Sequence, residues 1–176
     1  ILDARKRMPE YEYYYTHYLE GYEKAFLVST GANLGIRETR RILGEYVLNA
    51  QDYEKRASFE DEIGRYCYPI DLHPLEPGAA KTKYEEDYTK GYGKGNSYGI
   101  PYRCLLPKNT ENLLVAGRCI STSREMNGST RVMPCCFITG MAAGAAAAFS
   151  KDSNVRAVSV SSLRQELRKR GGYLPE

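Results

Sequence analysis

Residues 132–149 carry no charged side chain, and that one stretch limits what the whole chain can become. An uncharged run of this length has to be hidden, in a protein core or in a bilayer. It is built mainly from Ala and Gly, which gain little from transfer into lipid, and it contains Thr139, with Pro134 near its start. The composition therefore predicts a buried helix of a soluble protein and no membrane span. Proline suits the first helical turn, so the helix is expected from about Pro134 to Phe149. Gly140, Gly144 and the alanines give it a thin profile that can press against a sheet or a flat ligand.

The residues before the helix complete a unit. LLVA, residues 113–116, is a short apolar run of the buried-strand type, closed by Gly117. A polar loop is expected over residues 118–131. Gly117 lets another group approach the backbone, and Arg118 can pair with a phosphate. The helix mouth offers unpaired N–H groups and a partial positive charge, which suit an anionic ligand. Strand–Gly–helix units are common, however, and these features alone favour a purely structural unit over a nucleotide or flavin site.

Elsewhere, Tyr11, Tyr14, Tyr15, Tyr18 and Tyr22 recur at three- and four-residue steps in a helix predicted over residues 3–20, which reads as a packing stripe. AFLVS, residues 25–29, reads as a strand. Residues 36–48 read as one or two strands with Gly44 as a bulge or bend. Residues 49–59 are a loop or short helix, and another strand is expected within residues 62–72. Residues 74–99, rich in Gly, Pro, Lys and Tyr, form a long loop able to cover a site. Residues 100–107 read as extended. A last helix is expected over residues 158–170, capped by Ser161 or Ser162 and stopped by Gly171.

The formal net charge of +3 is spread along the chain and argues against a nucleic-acid partner. The five cysteines contain no C-x-x-C pair, so neither a metal centre nor a disulfide scaffold is expected; reduced, mostly buried thiols are.

Three strings in order, IPYRCLLPKNTENLLVAGRCIS, STRVMP and GMAAGAAAA, closely resemble the C-terminal signature of the FAD-dependent oxidoreductase family. IRETRRILGEYVLNAQD and CYPIDLH resemble an upstream block of the same family. The resemblance covers roughly residues 22–73 and 98–150. It implies the mixed α/β (α+β) fold class: the C-terminal portion of an FAD/NAD(P)-binding, Rossmann-like flavoprotein with part of an antiparallel substrate lobe. Residues 1–98 would form that lobe, residues 99–154 the strand–loop–helix portion of the FAD domain, and residues 155–176 a terminal helix and tail. FAD is the implied cofactor. Gly117 and Arg118 match positions beside its ribityl–phosphate chain, and Ser129, Arg131, Val132, Met133 and Pro134 match the segment facing the flavin ring. The family's pyrophosphate grip, G-x-G-x-x-G, is absent from the chain, so a preceding FAD-binding segment is the implied partner. Without it, the 176 residues are expected to be inactive and colourless, and to self-associate through apolar surface. Related sequences often carry Gln where Met141 stands, and His in the loop matched by Arg124 and Asn127. Arg124 can bind an anionic substrate instead, or pair with Glu125.

Two histidines are present, His17 and His73. His17 reads as structural. His73, beside Asp71, is either a general base or a histidine at a strand end. Arg40 and Arg103 are candidates to reach a substrate carboxylate or the flavin; ion pairs with Glu38 and Glu45 are the alternative. The reading is hydride transfer between an organic small-molecule substrate and flavin N5. A lyase, a structural FAD or a non-catalytic binding domain remain alternatives. A sugar or other polyol is suggested by family context alone. A cytoplasmic location is favoured.

Overall fold

The computed structural model describes residues 2–73, 93–151 and 153–175. The chain forms two compact units, Ile1–Ile36 and Arg37–Glu176.

In the first unit, α1 (Leu2–Lys6) is followed by α2 (Met8–Tyr18), which carries Pro9 in its first turn. The tyrosine spacing does produce a helix, but the expected packing stripe is not buried: no residue of α1 or α2 is. The rings stack on one another instead. Tyr14 and Tyr18 lie 5.7 Å apart between centroids, and Tyr13 and His17 lie 3.9 Å apart. A stripe at helical spacing says which side chains meet, and here they meet their own i+4 neighbours. Residues 25–29 are exposed and pair with no strand among the described residues, so the expected strand is not formed.

The second unit holds the core. Residues 36–48 were expected to form one or two strands; among the described residues they form only two isolated bridges, Gly44 to Pro107 and Leu48 to Thr122. The reason is a change of partner at almost every residue. Ile42 N–H donates to the Cys119 carbonyl (3.0 Å), Gly44 to Ser121 Oγ (2.9 Å), Glu45 to the Leu106 carbonyl (2.9 Å) and Leu48 to the Ser121 carbonyl (3.1 Å). Gly44 is not a bulge but a crossing point. A Cβ there would lie 2.7 Å from Ser121 Cβ and 3.1 Å from the Arg103 and Leu106 carbonyl oxygens.

α3 (Ala50–Glu54) starts with a capping box, in which Asn49 accepts from the Asp52 N–H and Asp52 accepts from the Asn49 N–H. β1 (Glu62–Tyr66) and β2 (Tyr98–Pro101) pair antiparallel, with Gly64 opposite Ile100 and Tyr66 opposite Tyr98. They are the only sheet among the described residues, so the fold is helices around a small antiparallel sheet. After β2 the chain coils into a 3-10 turn at Tyr102–Leu105, which cuts short the expected extended piece. Of the long loop expected over residues 74–99, residues 74–92 lie outside the described residues.

Residues 113–116 form no strand among the described residues. Leu113 is 46 % exposed, and the run is held by one bond, from the Val115 N–H to the Leu105 carbonyl (2.9 Å). The expected polar loop is largely a helix, α4 (Arg124–Thr130), because Ser123 Oγ caps it by accepting the Met126 N–H. Its Met126 to Thr130 are buried. α5 (Met133–Phe149) follows as the uncharged run predicts. α6 (Val160–Lys169) is capped by Ser159, two or three residues earlier than expected, and stops at Gly171. No single helix among the described residues is long and apolar enough to cross a membrane; α4 and α5 meet that measure only together, and they are bent by 90°.

α5 buries Cys135, Thr139, Ala142 and Ala146, and α6 buries Leu163 and Leu167. Both helices join one core with Ile63, Tyr98, Ile100, Leu105, Ile120 and Met126. Leu167→Ala should therefore cost about 2–5 kcal/mol, read as a lower urea midpoint with an unchanged slope.

Candidate functional site

The candidate site is built where residues 116–119 meet the first turns of α5. Gly117 has φ +74°, a conformation strained for any residue with a side chain. Its N–H donates to Thr139 Oγ1 (3.0 Å), which itself donates to the Cys135 carbonyl (2.9 Å). The lone hydroxyl of the apolar helix thus pins the glycine turn to the helix. A Cβ on Gly117 would face Cys136 Sγ at 3.8 Å, so the turn lies close against the side of α5.

The mouth of α5 is open chemically. Val132 provides no side-chain cap, Pro134 has no N–H, and no acidic residue stands in the first turn. Met133 is 61 % and Phe137 70 % exposed, and Pro134, Gly140, Gly144, Ala147 and Ala148 are exposed as well. α5 therefore buries one side and leaves an apolar side bare, where the sequence implied burial throughout.

Arg118 is exposed, with Nε donating to the Arg131 carbonyl (3.1 Å) and no ion pair among the described residues. Ser129 and Arg131 behave differently. Ser129 is fully buried; its hydroxyl donates to the Tyr68 carbonyl (2.6 Å) and meets the Tyr98 hydroxyl (2.7 Å). Arg131 is buried too, with one arm on Glu38 (3.2 Å) and the other on the Asp71 carbonyl (2.8 Å). Both side chains are engaged within the protein and hold the segment in shape. Asn127, also fully buried, donates to the Arg118 carbonyl (3.3 Å), while its Oδ1 has no partner among the described residues.

The three residues expected to serve catalysis fall in different surroundings. His73 Nε2 lies 3.2 Å from Arg37 Nη1 and 3.7 Å from Asp71 Oδ1. Arg103 is committed elsewhere: Nε and Nη2 donate to the two oxygens of Asp61 (2.9 and 3.2 Å), and its guanidinium lies over the Tyr46 ring at 5.1 Å. The hydrogen bond to Asp61 raises its pKa further. Arg40 is exposed and makes no ion pair among the described residues. Glu38 and Glu45 are paired as the alternative reading had it, but with Arg131 and Arg156. Arg124 makes no salt bridge with Glu125; it donates to the His73 carbonyl (3.0 Å).

A family model described as FAD dependent oxidoreductase matches residues 2–167. The chain belongs to this family. No curated protein and no solved structure matches it significantly. Membership gives the intact oxidoreductase FAD as its cofactor, and the residues present suit that group. Gly117 presents backbone without a side chain, an uncapped helix mouth faces outward, and Asn127 keeps a buried acceptor unfilled. Thr139 and Asn127 were not singled out as cofactor residues in the sequence. The only signal for Thr139 was its hydroxyl in an otherwise apolar helix.

The five thiols of this oxidoreductase are free: Cys104 and Cys135 are buried, Cys136 is half-buried, and Cys67 and Cys119 are exposed. Burial pushes the Cys104 thiol from 9.0 up to about 12, and it pushes Cys135 up as well. The native state keeps Cys104 protonated where the unfolded chain ionises. Its contribution to stability is thus complete below pH 9 and is lost as pH rises toward 12. Burial acts in the same sense on Tyr102, pushed from 10.0 to about 12. Urea midpoints should fall across that range, and at neutral pH a thiol reagent should label Cys67 and Cys119 well before Cys104 and Cys135. Thr139→Val should cost about 1–3 kcal/mol by leaving the Gly117 N–H unpaired. Amide exchange at Gly117 should quicken accordingly.

Proposed function

We propose that the chain forms one wall of a flavin pocket, in an enzyme that transfers hydride between an organic substrate and FAD. The observation that carries this reading is the junction of Gly117 with α5. A left-handed glycine, tied by Thr139 to the helix, sits beside an uncapped helix mouth and an exposed arginine.

FAD, when bound, supplies the hydride acceptor at N5. The chain's own residues bind and orient. Gly117 allows close approach along the ribityl–phosphate chain. Arg118, whose Nε is fixed on the Arg131 carbonyl, offers its outer guanidinium nitrogens to a phosphate. Val132, Met133 and Pro134 bring the positive end of α5 toward an anionic edge of the ring system. Met133 and Phe137, exposed on that side, would exclude water from it once the cofactor is bound. Ser129 and Arg131 are positioning residues: they hold the segment through Tyr68, Tyr98, Glu38 and Asp71, and need not touch the cofactor. The Rossmann-like pyrophosphate grip, for which the chain has no motif, is assigned to a segment outside these residues.

Arg118 is exposed, so its replacement should leave the fold intact. Arg118→Ala in the intact protein should weaken FAD retention about tenfold or more, the loss of one charge-assisted bond. Flavin absorbance after dialysis reads this. Unchanged retention, with unchanged circular dichroism, would remove the pocket from this corner.

A further inference from the structure

We propose that Arg37, His73 and Arg124 form a subsite for the carboxylate of a small anionic substrate, a reading that rests on the oxidoreductase function above. The three come together from distant parts of the sequence. Arg37 Nη1 lies 3.2 Å from His73 Nε2, and Arg124 Nη2 donates to the His73 carbonyl at 3.0 Å. Two guanidinium groups therefore flank one imidazole-bearing residue. Among the described residues, the carboxylate facing Arg37 and His73 is Asp71, at 4.0 Å from Arg37 Nη1 and 3.7 Å from His73 Nε2. Both neighbours share this one anion.

The other acidic side chains near the cluster among the described residues are engaged elsewhere. Glu38 is taken by Arg131. Glu125 is held below the usual carboxylate range, first by its own backbone N–H and then by Ser123, with Arg124 and Arg41 as lesser causes. Arg124 keeps its Nε–H buried and without a partner among the described residues. A buried donor left unmade is costly, and a shift of the Arg124 side chain toward an acceptor would remove that cost. The side chains of Arg37 and His73 are 63 % and 68 % exposed, so an incoming group reaches them without rearrangement of the core. Planar guanidinium forks match a carboxylate in geometry as well as in charge. The sequence placed this role on Arg40 and Arg103, and offered Arg124 as an alternative. Asp61 occupies Arg103, and the cluster at His73 joins Arg124 to Arg37.

The test is protection of His73 in the intact protein against diethyl pyrocarbonate, read by mass spectrometry of its peptide, with succinate as probe. His17 is the internal control. Sodium chloride at the same ionic strength and inorganic phosphate are the other arms. Succinate should slow modification of His73 saturably, by about tenfold, and leave His17 unchanged. Arg37→Gln and Arg124→Gln should each weaken that protection about tenfold, and Arg40→Gln should leave it as it is. Equal protection by sodium chloride, equal slowing at His17, protection by phosphate but not by succinate, or arginine variants that protect as well as the parent would each overturn the proposal. Flavin absorbance of the same sample reports separately on the cofactor. A colourless protein in which succinate still protects His73 would keep the subsite and detach it from hydride transfer.

Discussion

Glu62 is 2 % exposed, and its carboxylate is met by arginines from both sides. Arg65 Nη1 donates to Oε2 at 3.0 Å, and Arg164 Nη1 lies 3.9 Å from Oε1 while donating to the Glu62 carbonyl at 3.1 Å. One buried residue thus ties the start of β1 to α6. The opposite strand makes room for it: a side chain on Gly99 would collide with Glu62 Oε2. Arg65 continues to Ser97 and Ser58, so the connection reaches both ends of the strand pair. Buried ions are expensive to desolvate, and removing a single partner typically costs 3–5 kcal/mol, roughly the whole margin of a small domain. The two-stranded sheet is too small to stand by itself. It persists because α5 and α6 share its core and because this charge network ties α6 to β1.

How far the sequence could be read follows from this arrangement. α5 was legible because its signal is local: an uncharged run with proline at the start. α3, β1 and the stop of α6 at Gly171 were legible for the same reason. The strands expected at residues 25–29, 36–48 and 113–116 were not formed, because an apolar run says only that a segment seeks a partner. For residues 36–48 the partners are single groups taken one after another, backbone carbonyls and the side chain of Ser121, and no pattern in the run itself reports that. α4 was missed although Ser123 is a good cap, since its polar composition resembled a loop.

At the site, the glycine turn and the start of α5 were legible, while the partners of Arg103 and Arg131 were not. A single sequence tells that Arg103 and Arg131 are cations but not which acid each will meet. Asp61 and Glu38 are distant in sequence, 42 and 93 residues away. Arg37 and Arg124 were separated by the whole of the sheet in sequence, and only the fold sets them on either side of His73.

The bare side of α5 has a further consequence. Positions 135, 139, 142 and 146 must stay small because they are buried in the core, whereas positions 133, 137, 140 and 144 are under no such demand from this unit. A single helix thus answers to two masters, and drift along it will be asymmetric. Changes on the inner side register as lost stability, and changes on the outer side register only through whatever the helix is laid against.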